Sequence, residues 1–133
     1  MLKLKRAHLT AMINHAKESY PNECCGIIAG RGECVVNVMK MANEIGSPVE
    51  YKMSDADVKR ALDSLDEQGL DFLGVYHSHP TSDAYPSNID VDRAVFDEVD
   101  QLIISLKDID KPQVNNFRIV NKNVVEAPYS VID

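Results

Sequence analysis

The sequence predicts one α/β domain of the α+β type, in which a mixed, mostly antiparallel sheet is flanked by about three helices. Short β-rich runs separated by turn residues indicate hairpins, and three stretches with helical character interrupt them. The 133 residues, 44% of them hydrophobic and 26% charged, suffice for one buried core of ordinary composition. No repeat or linker divides the chain, so we expect residues 1–133 to form a single domain.

Three segments are expected to be helical. Apolar residues recur at helical spacing over residues 7–19. A second helix is expected to begin after Ser54 as N-cap and to stop near Gly69. A third helix is expected to begin at Ser87, and the residues expected to face inward from it include Ala94, Val95 and Val99.

The β-rich runs predict the sheet. The segments expected to be strands are Glu23–Gly30, Cys34–Met41, Val49–Met53, Phe72–His79, Gln101–Leu106, Val114–Val120 and Val124–Ala127. The first two and the last two are expected to form hairpins. The continuous apolar run Leu102–Ile104 is typical of a central strand.

Charge and cysteine content narrow the class of protein. The formal net charge of −7 and the lack of a basic patch argue against a nucleic-acid partner. No apolar run approaches the roughly 20 residues that span a bilayer. No apolar signal-peptide segment follows the basic N-terminus. Three cysteines without a framework spacing are expected to be reduced thiols, which predicts a cytoplasmic protein. Without a membrane-spanning run, no membrane partner is expected.

The segment that ends in His77 and His79 carries the main chemical signal. Side chains alternate along a strand, so both imidazoles lie on one face of it. Pro80 cannot donate a ladder hydrogen bond and should end the strand there. With Asp90 they make a plausible three-ligand zinc set whose fourth position is open, which is typical of a catalytic site.

Each part of this pattern also has a structural interpretation. The two histidines could be polar residues at a strand end. Ser87 and Asp90 match an N-cap serine with an acidic N3 residue, a capping-box variant. The two interpretations are compatible, since a capping carboxylate is held in a defined direction. Asp83 and Asp92 are rival carboxylates that leave the nearby serine unexplained.

Glu23 is the best-placed candidate for a general base. A carboxylate at the start of a buried apolar strand is costly unless it is paired or functional, although an exposed strand start would also explain it. A zinc hydrolase needs such a group outside its ligand set. Cys24 or Cys25 could instead be a nucleophile with a histidine base, but buried structural thiols are the default interpretation.

The spacing of these residues resembles a known family. His77-x-His79-Pro80, followed after six residues by Ser87 and after two more by Asp90, is similar to the H-x-H-P-x6-S-x2-D pattern of the JAMM (JAB1/MPN/Mov34) zinc metallopeptidases. The segment from Pro21 to Gly30, with its Glu23 and Gly26, resembles the P-x-E-x-C-G segment of the small prokaryotic branch. The similarity covers nearly the whole chain.

The resemblance implies roles for individual residues. His77, His79 and Asp90 would bind one zinc ion per chain, Glu23 would be the general acid/base, and Ser87 would hydrogen-bond the oxyanion. It also implies an MPN/JAB1-like fold with cytidine-deaminase-like layering.

The resemblance further implies a substrate, namely an amide or isopeptide bond at the C-terminus of a ubiquitin-like protein of the sulfur-carrier type. The competing hypothesis is a non-hydrolytic MPN module that binds ubiquitin-like tails or scaffolds a complex. A cytidine-deaminase-like activity fails on the sequence, which lacks H-x-E with a later P-C-x-x-C. The oligomeric state stays open.

Overall fold

A computed structural model describes residues 1–94, 96 and 99–133 of the chain. The helices are α1 (Arg6–Ser19), α2 (Asp55–Gln68) and α3 (Asn88–Asp92). The strands are β1 (Leu2–Leu4), β2 (Cys25–Arg31), β3 (Cys34–Met41), β4 (Asp71–His79), β5 (Asp100–Ser105), β6 (Gln113–Val120), β7 (Asn123–Glu126) and β8 (Tyr129–Val131). Val95, which was expected to face inward from the third helix, lies outside the described residues.

The strands form one mixed sheet in the order β7-β6-β5-β4-β2-β3-β1-β8. The predicted hairpins β2–β3 and β6–β7 are antiparallel, as are the pairs β2–β4 and β5–β6. Strand β4 runs parallel to β5, and β1 runs parallel to β3 and β8. The prediction of a mixed sheet with three helices is confirmed, and β5 is central as expected.

Helices cover both faces of the sheet. Ile28 of β2 packs in a cluster with Met12 and Ala16 of α1, whereas its neighbour Ile27 packs in a cluster with Leu65 of α2. Adjacent strand residues point to opposite faces, so β2 is buried on both sides. This layering leaves the ends of β2 and β4 as the place where polar side chains can meet.

The caps of α2 follow the prediction. Ser54 Oγ accepts a hydrogen bond from the backbone N–H of Asp57, and Gly69 adopts the left-handed conformation with φ 67°. Only glycine takes that φ without steric cost, so the helix ends there. Among the described residues, no helix is long and apolar enough to cross a membrane.

The expected strand at Val49–Met53 is wrong, because this segment has no regular secondary structure. Its backbone is held instead by the side chain of Asn43, whose amide donates to the carbonyl of Glu50 and whose oxygen accepts from the N–H of Lys52. These local bonds replace a strand ladder.

The third helix is shorter than expected. It ends at Asp92, so Ala94 and Val99 lie beyond it. Strands β1 and β8 were not predicted. Each has three residues, and their parallel pairing joins the two ends of the chain, which no local pattern signals.

Candidate metal centre

The end of β4 delivers both predicted histidines to a buried position. His77 and His79 are 0% and 2% exposed, between β2 on one side and β5 on the other. Because the two residues are separated by one position, both rings lie on the same face of the strand. Pro80 follows directly, and the strand ends at His79 as predicted.

The structure brings the two histidines together with Asp90. Nε2 of His77 lies 3.2 Å from Nε2 of His79. Oδ2 of Asp90 lies 3.1 Å from the first of these nitrogens and 2.9 Å from the second. Within the described residues, this is a group of histidine and carboxylate ligand atoms close enough to share one ion. The candidate ligand set is therefore assembled from two segments of the chain.

The start of α3 fixes the direction of Asp90. The N–H of Ser87 donates to Oδ2 of Asp90 at 2.9 Å, and the N–H of Asp90 donates to Oγ of Ser87 at 3.1 Å. Burial acts to raise the pKa of Asp90, but hydrogen bonds with His77 and His79 outweigh it and hold the pKa well below its usual range. The capping box and the candidate ligand are thus one structure, and Asp90 stays ionised.

A backbone carbonyl orients His79. Nδ1 lies 2.8 Å from the carbonyl oxygen of Asp83, which can only accept, so Nδ1 carries the hydrogen. Nε2, the other ring nitrogen, faces the cluster and is the atom that can bind an ion there. Burial lowers the pKa of His79, but its bonds with Asp90 and Asp83 outweigh this, and the pKa is raised overall.

His77 is held differently. Its Nδ1 is buried and finds no hydrogen-bond partner within the described part of the chain, and its ring stacks on Tyr51 with centroids 4.6 Å apart and planes at 28°. The sequence analysis missed Tyr51, because that residue falls in the segment wrongly expected to be a strand. Nothing in the local pattern links it to a histidine far along the chain.

Glu23 lies at the same end of the sheet. The β2–β4 register pairs Cys25 with His77, and the N–H of Ser78 donates to the carbonyl of Cys24 at 3.2 Å. Continuing this register places Glu23 opposite His79. The Glu23 side chain is buried, with the residue 3% exposed, and its Oε1 has no hydrogen-bond partner among the residues that the structure describes. The interpretation of Glu23 as an exposed strand start is therefore wrong.

Burial raises the pKa of Glu23 from 4.5 to about 8. The charge of His79 opposes this shift, and the negative charges of Asp90 and Glu50 add to it. A buried carboxyl that titrates near neutrality next to a ligand set is a group suited to proton transfer.

Ser87 keeps one hydrogen-bonding function free of the capping box. Its Oγ accepts from Asp90, and a hydroxyl can donate its own hydrogen at the same time. The residue is half-buried at the edge of the cluster. It can therefore donate toward a group that enters the site.

The alternative candidates are not part of this centre. Burial raises the pKa of the Cys24 and Cys25 thiols to about 11 and about 12, so neither is a thiolate near neutral pH. The carboxylate of Asp83 pairs with Lys107. The carboxylate of Asp92 lies 3.9 Å from the amine of Lys122.

A cleft of about 840 Å³ adjoins the cluster. Asp90 and Tyr51 line it together with apolar side chains of α2 and of the segment after Ser87, among them Val58, Leu62 and Ile89. A cleft of this size is large enough for a ligand to bind beside the candidate metal ligands.

The chemistry of the donor set fits a metal ion. Two imidazole nitrogens and one ionised carboxylate oxygen point at one another, and each histidine ring is held in place from outside the cluster. Two nitrogens and one oxygen are ligands that suit a first-row divalent cation. The cluster is therefore a candidate metal site.

Comparison with known proteins places this geometry in context. Residues 5–120 match the family described as prokaryotic homologs of the JAB domain. The chain is 31% identical over 130 residues to the CysO-cysteine peptidase of Mycobacterium tuberculosis, covering 94% of this chain and 87% of that protein. It is 37% identical over 81 residues to a probable TtuB-protein conjugate cleaving protease of Thermus thermophilus, covering 60% and 54%. A Desulfitobacterium hafniense protein solved in solution has a TM-score of 0.92 at 31% identity, covering 100% of this chain and 94% of that one.

Proposed function

Because this chain belongs to the family of prokaryotic JAB-domain homologs, we propose that it is a zinc-dependent peptidase acting on a ubiquitin-like protein of the sulfur-carrier type. It hydrolyses an amide or isopeptide bond at the C-terminus of that protein. The observation that carries the proposal is the convergence of His77, His79 and Asp90 beside a buried, unpartnered Glu23. We further propose that residues 1–133 form one catalytic domain.

His77, His79 and Asp90 would hold the zinc ion. Their ligand atoms already face one another, and Asp90 is kept ionised by its hydrogen bonds. When bound, zinc supplies Lewis acidity, which polarises the scissile carbonyl and lowers the pKa of water at the site. The remaining steps belong to side chains of the protein.

Glu23 acts as the general acid/base. Its carboxylate takes a proton from the attacking water and later gives this proton to the departing amine. Burial, which raises its pKa toward neutrality, makes both transfers accessible at one pH. Within residues 1–94, 96 and 99–133, no hydrogen bond holds Oε1 in another role.

Ser87 stabilises the oxyanion. The negative charge that develops on the carbonyl oxygen accepts a hydrogen bond from the Ser87 hydroxyl, whose Oγ is itself fixed by the N–H of Asp90. Because the capping box holds the serine before the substrate arrives, little reorganisation is needed.

The substrate class is supported by two observations. A cleft of about 840 Å³ with many apolar side chains adjoins the candidate ligands and offers a place for a substrate to bind beside them. A relative that matches 94% of this chain is named CysO-cysteine peptidase. A cytoplasmic location stays a prediction, supported by the three free cysteines.

The test combines metal analysis with a cleavage assay. The purified protein is loaded with zinc and incubated with a ubiquitin-like sulfur-carrier protein that bears a cysteine or a longer extension after its Gly-Gly tail. Intact mass spectrometry is expected to show loss of the extension by the wild type and no loss after treatment with a chelator.

Matched variants assign the roles. Glu23→Gln should bind zinc like the wild type and lose cleavage by at least about 100-fold, as expected for removal of an acid/base group. Glu18→Gln, which changes an exposed carboxylate paired with Lys40, should cleave normally. Turnover by the zinc-loaded Glu23→Gln protein would refute the role of Glu23. Binding of the tail by zinc-loaded wild type without any cleavage would favour a binding module.

A further inference from the structure

Three consecutive backbone carbonyls hold the loop that follows His79. The carbonyl of Ser82 accepts from Oγ of Ser105 at 2.6 Å, and the carbonyl of Ala84 accepts from Nδ2 of Asn115 at 3.0 Å. The carbonyl between them, that of Asp83, accepts from Nδ1 of His79 at 2.8 Å. The outer two carbonyls are thus tied to the sheet, and the middle one is aimed at the histidine.

The two anchors come from adjacent strands. Ser105 ends β5, which is parallel to β4 and pairs with His79 itself, while Asn115 lies in the next strand, β6. Both side chains therefore reach the loop from the rigid part of the protein. The Ser105 hydroxyl is further fixed because it accepts from the N–H of Lys107 at 3.2 Å, and the residue is 4% exposed.

We propose that Ser105 and Asn115 are positioning residues for the metal ligand His79. By fixing the carbonyls on either side of Asp83, they hold its oxygen where it accepts the Nδ1 hydrogen. His79 is thereby held with Nδ1 toward the loop and Nε2 toward His77 and Asp90, the orientation in which Nε2 can bind an ion. The loop also leads to Ser87, so the same anchors limit movement of the capping box.

The contact of Lys107 with this loop does not position His79. The amine of Lys107 lies 3.2 Å from Oδ1 of Asp83, but both side chains are more than half exposed. Exposed ion pairs contribute little to stability, and this one touches the side chain of Asp83 and not its carbonyl. Lys107→Ala is therefore a matched control, because it removes a contact to Asp83 and leaves the two anchored carbonyls unchanged.

The inference rests on the proposed zinc site, so its test includes a measurement without metal. Ser105→Ala, Asn115→Ala, the double variant and Lys107→Ala are compared with the wild type. Proton NMR of the metal-free proteins measures how fast the hydrogen on Nδ1 of His79 exchanges with solvent, which reports whether its hydrogen bond to the loop is held. Zinc affinity is measured by competition with a chromophoric chelator, and urea unfolding verifies that each variant folds cooperatively.

The wild type and Lys107→Ala are expected to show a slowly exchanging hydrogen on Nδ1 of His79. Both anchor variants are expected to show faster exchange of this hydrogen and a zinc Kd raised about 10-fold, with up to about 100-fold for the double variant, the range found when groups behind a ligand are removed. Asn115 is exposed, so its variant carries the test if Ser105→Ala does not fold.

Two different failures are distinguishable. A double variant that folds and keeps the wild-type exchange rate of the Nδ1 hydrogen and the wild-type zinc Kd would overturn the positioning role of the anchors. A wild type that binds no zinc would overturn the proposed metal centre, while faster exchange of the Nδ1 hydrogen in the variants would still support the orientation of His79 by the loop.

Discussion

Replacing Glu23 with glutamine should make the metal-free protein more stable at alkaline pH. Glutamine has the shape of glutamic acid but no titrating proton. Burial raises the pKa of Glu23 from 4.5 to about 8. Between these values the unfolded chain has lost the proton that the folded protein keeps, so the free energy of unfolding of the wild type falls as the pH rises.

The size of the effect follows from the pKa difference. At about 1.4 kcal/mol per pKa unit, the loss accumulated by pH 8 is on the order of 3–5 kcal/mol. The Glu23 residue is only 3% exposed, so solvent screens this cost little. The full wild-type stability is present below about pH 4.5, and the Glu23 contribution is lost as the pH rises to about 8.

Urea unfolding of the chelator-treated proteins between pH 5 and 9 measures this effect. The free energy of unfolding of Glu23→Gln is expected to exceed that of the wild type by a margin that grows with pH and levels off above about pH 8. Glu18→Gln, an exposed change, controls for the loss of one carboxylate. If Glu23→Gln and the wild type have parallel pH profiles, Glu23 is not a buried, protonated carboxyl and the argument is wrong.

Three further predictions concern the site and its support. Tyr51→Ala should raise the zinc Kd about 10-fold, since its ring is what holds His77, whereas Tyr51→Phe should leave chelator competition unchanged. Gly26→Ala would place a methyl group inside the ring of Tyr76 and should lower the free energy of unfolding by about 1–3 kcal/mol; an unchanged urea midpoint would contradict this packing. Asp90→Asn should abolish zinc binding in metal analysis, while Asp92→Asn, at an exposed position of the same helix, should retain it.

The elements that the sequence predicted well are those whose signals are local. The cap and stop of α2 depend on Ser54 and Gly69, each of which acts within a few residues of itself. The hairpin β6–β7 turns at Asn121 and Lys122, both with positive φ, in a segment whose polar residues already indicated a turn. Such caps and turns depend on neighbouring residues only, so they can be predicted without knowing the rest of the fold.

The errors arose where distant parts of the chain decide the structure. The alternation over Val49–Met53 is typical of a strand, but strand pairing needs a partner, and Asn43 satisfies this backbone instead. Tyr51 therefore faces His77 from an irregular segment. The pairing of β1 with β8 joins the chain ends, and no local sequence pattern predicts it.

The ligand residues of the candidate site could be predicted from the sequence, but the residues that contact and orient those ligands could not. His77, His79, Ser87 and Asp90 lie within fourteen positions of one another, so spacing alone suggested that they meet. Their supporting groups Tyr51, Ser105 and Asn115 come from three other segments. Ordinary residue types at such positions carry no chemical signal until the fold places them against a ligand.

The stacking of Tyr51 on His77 also gives the protein a natural optical probe. The chain has five tyrosines and no tryptophan, so tyrosine emission is not masked by a stronger fluorophore. The Tyr51 phenol lies flat against one candidate ligand, and any change in the charge of that imidazole changes the surroundings of the phenol directly. Part of the tyrosine emission can therefore follow events at the site in real time, in the unlabelled protein.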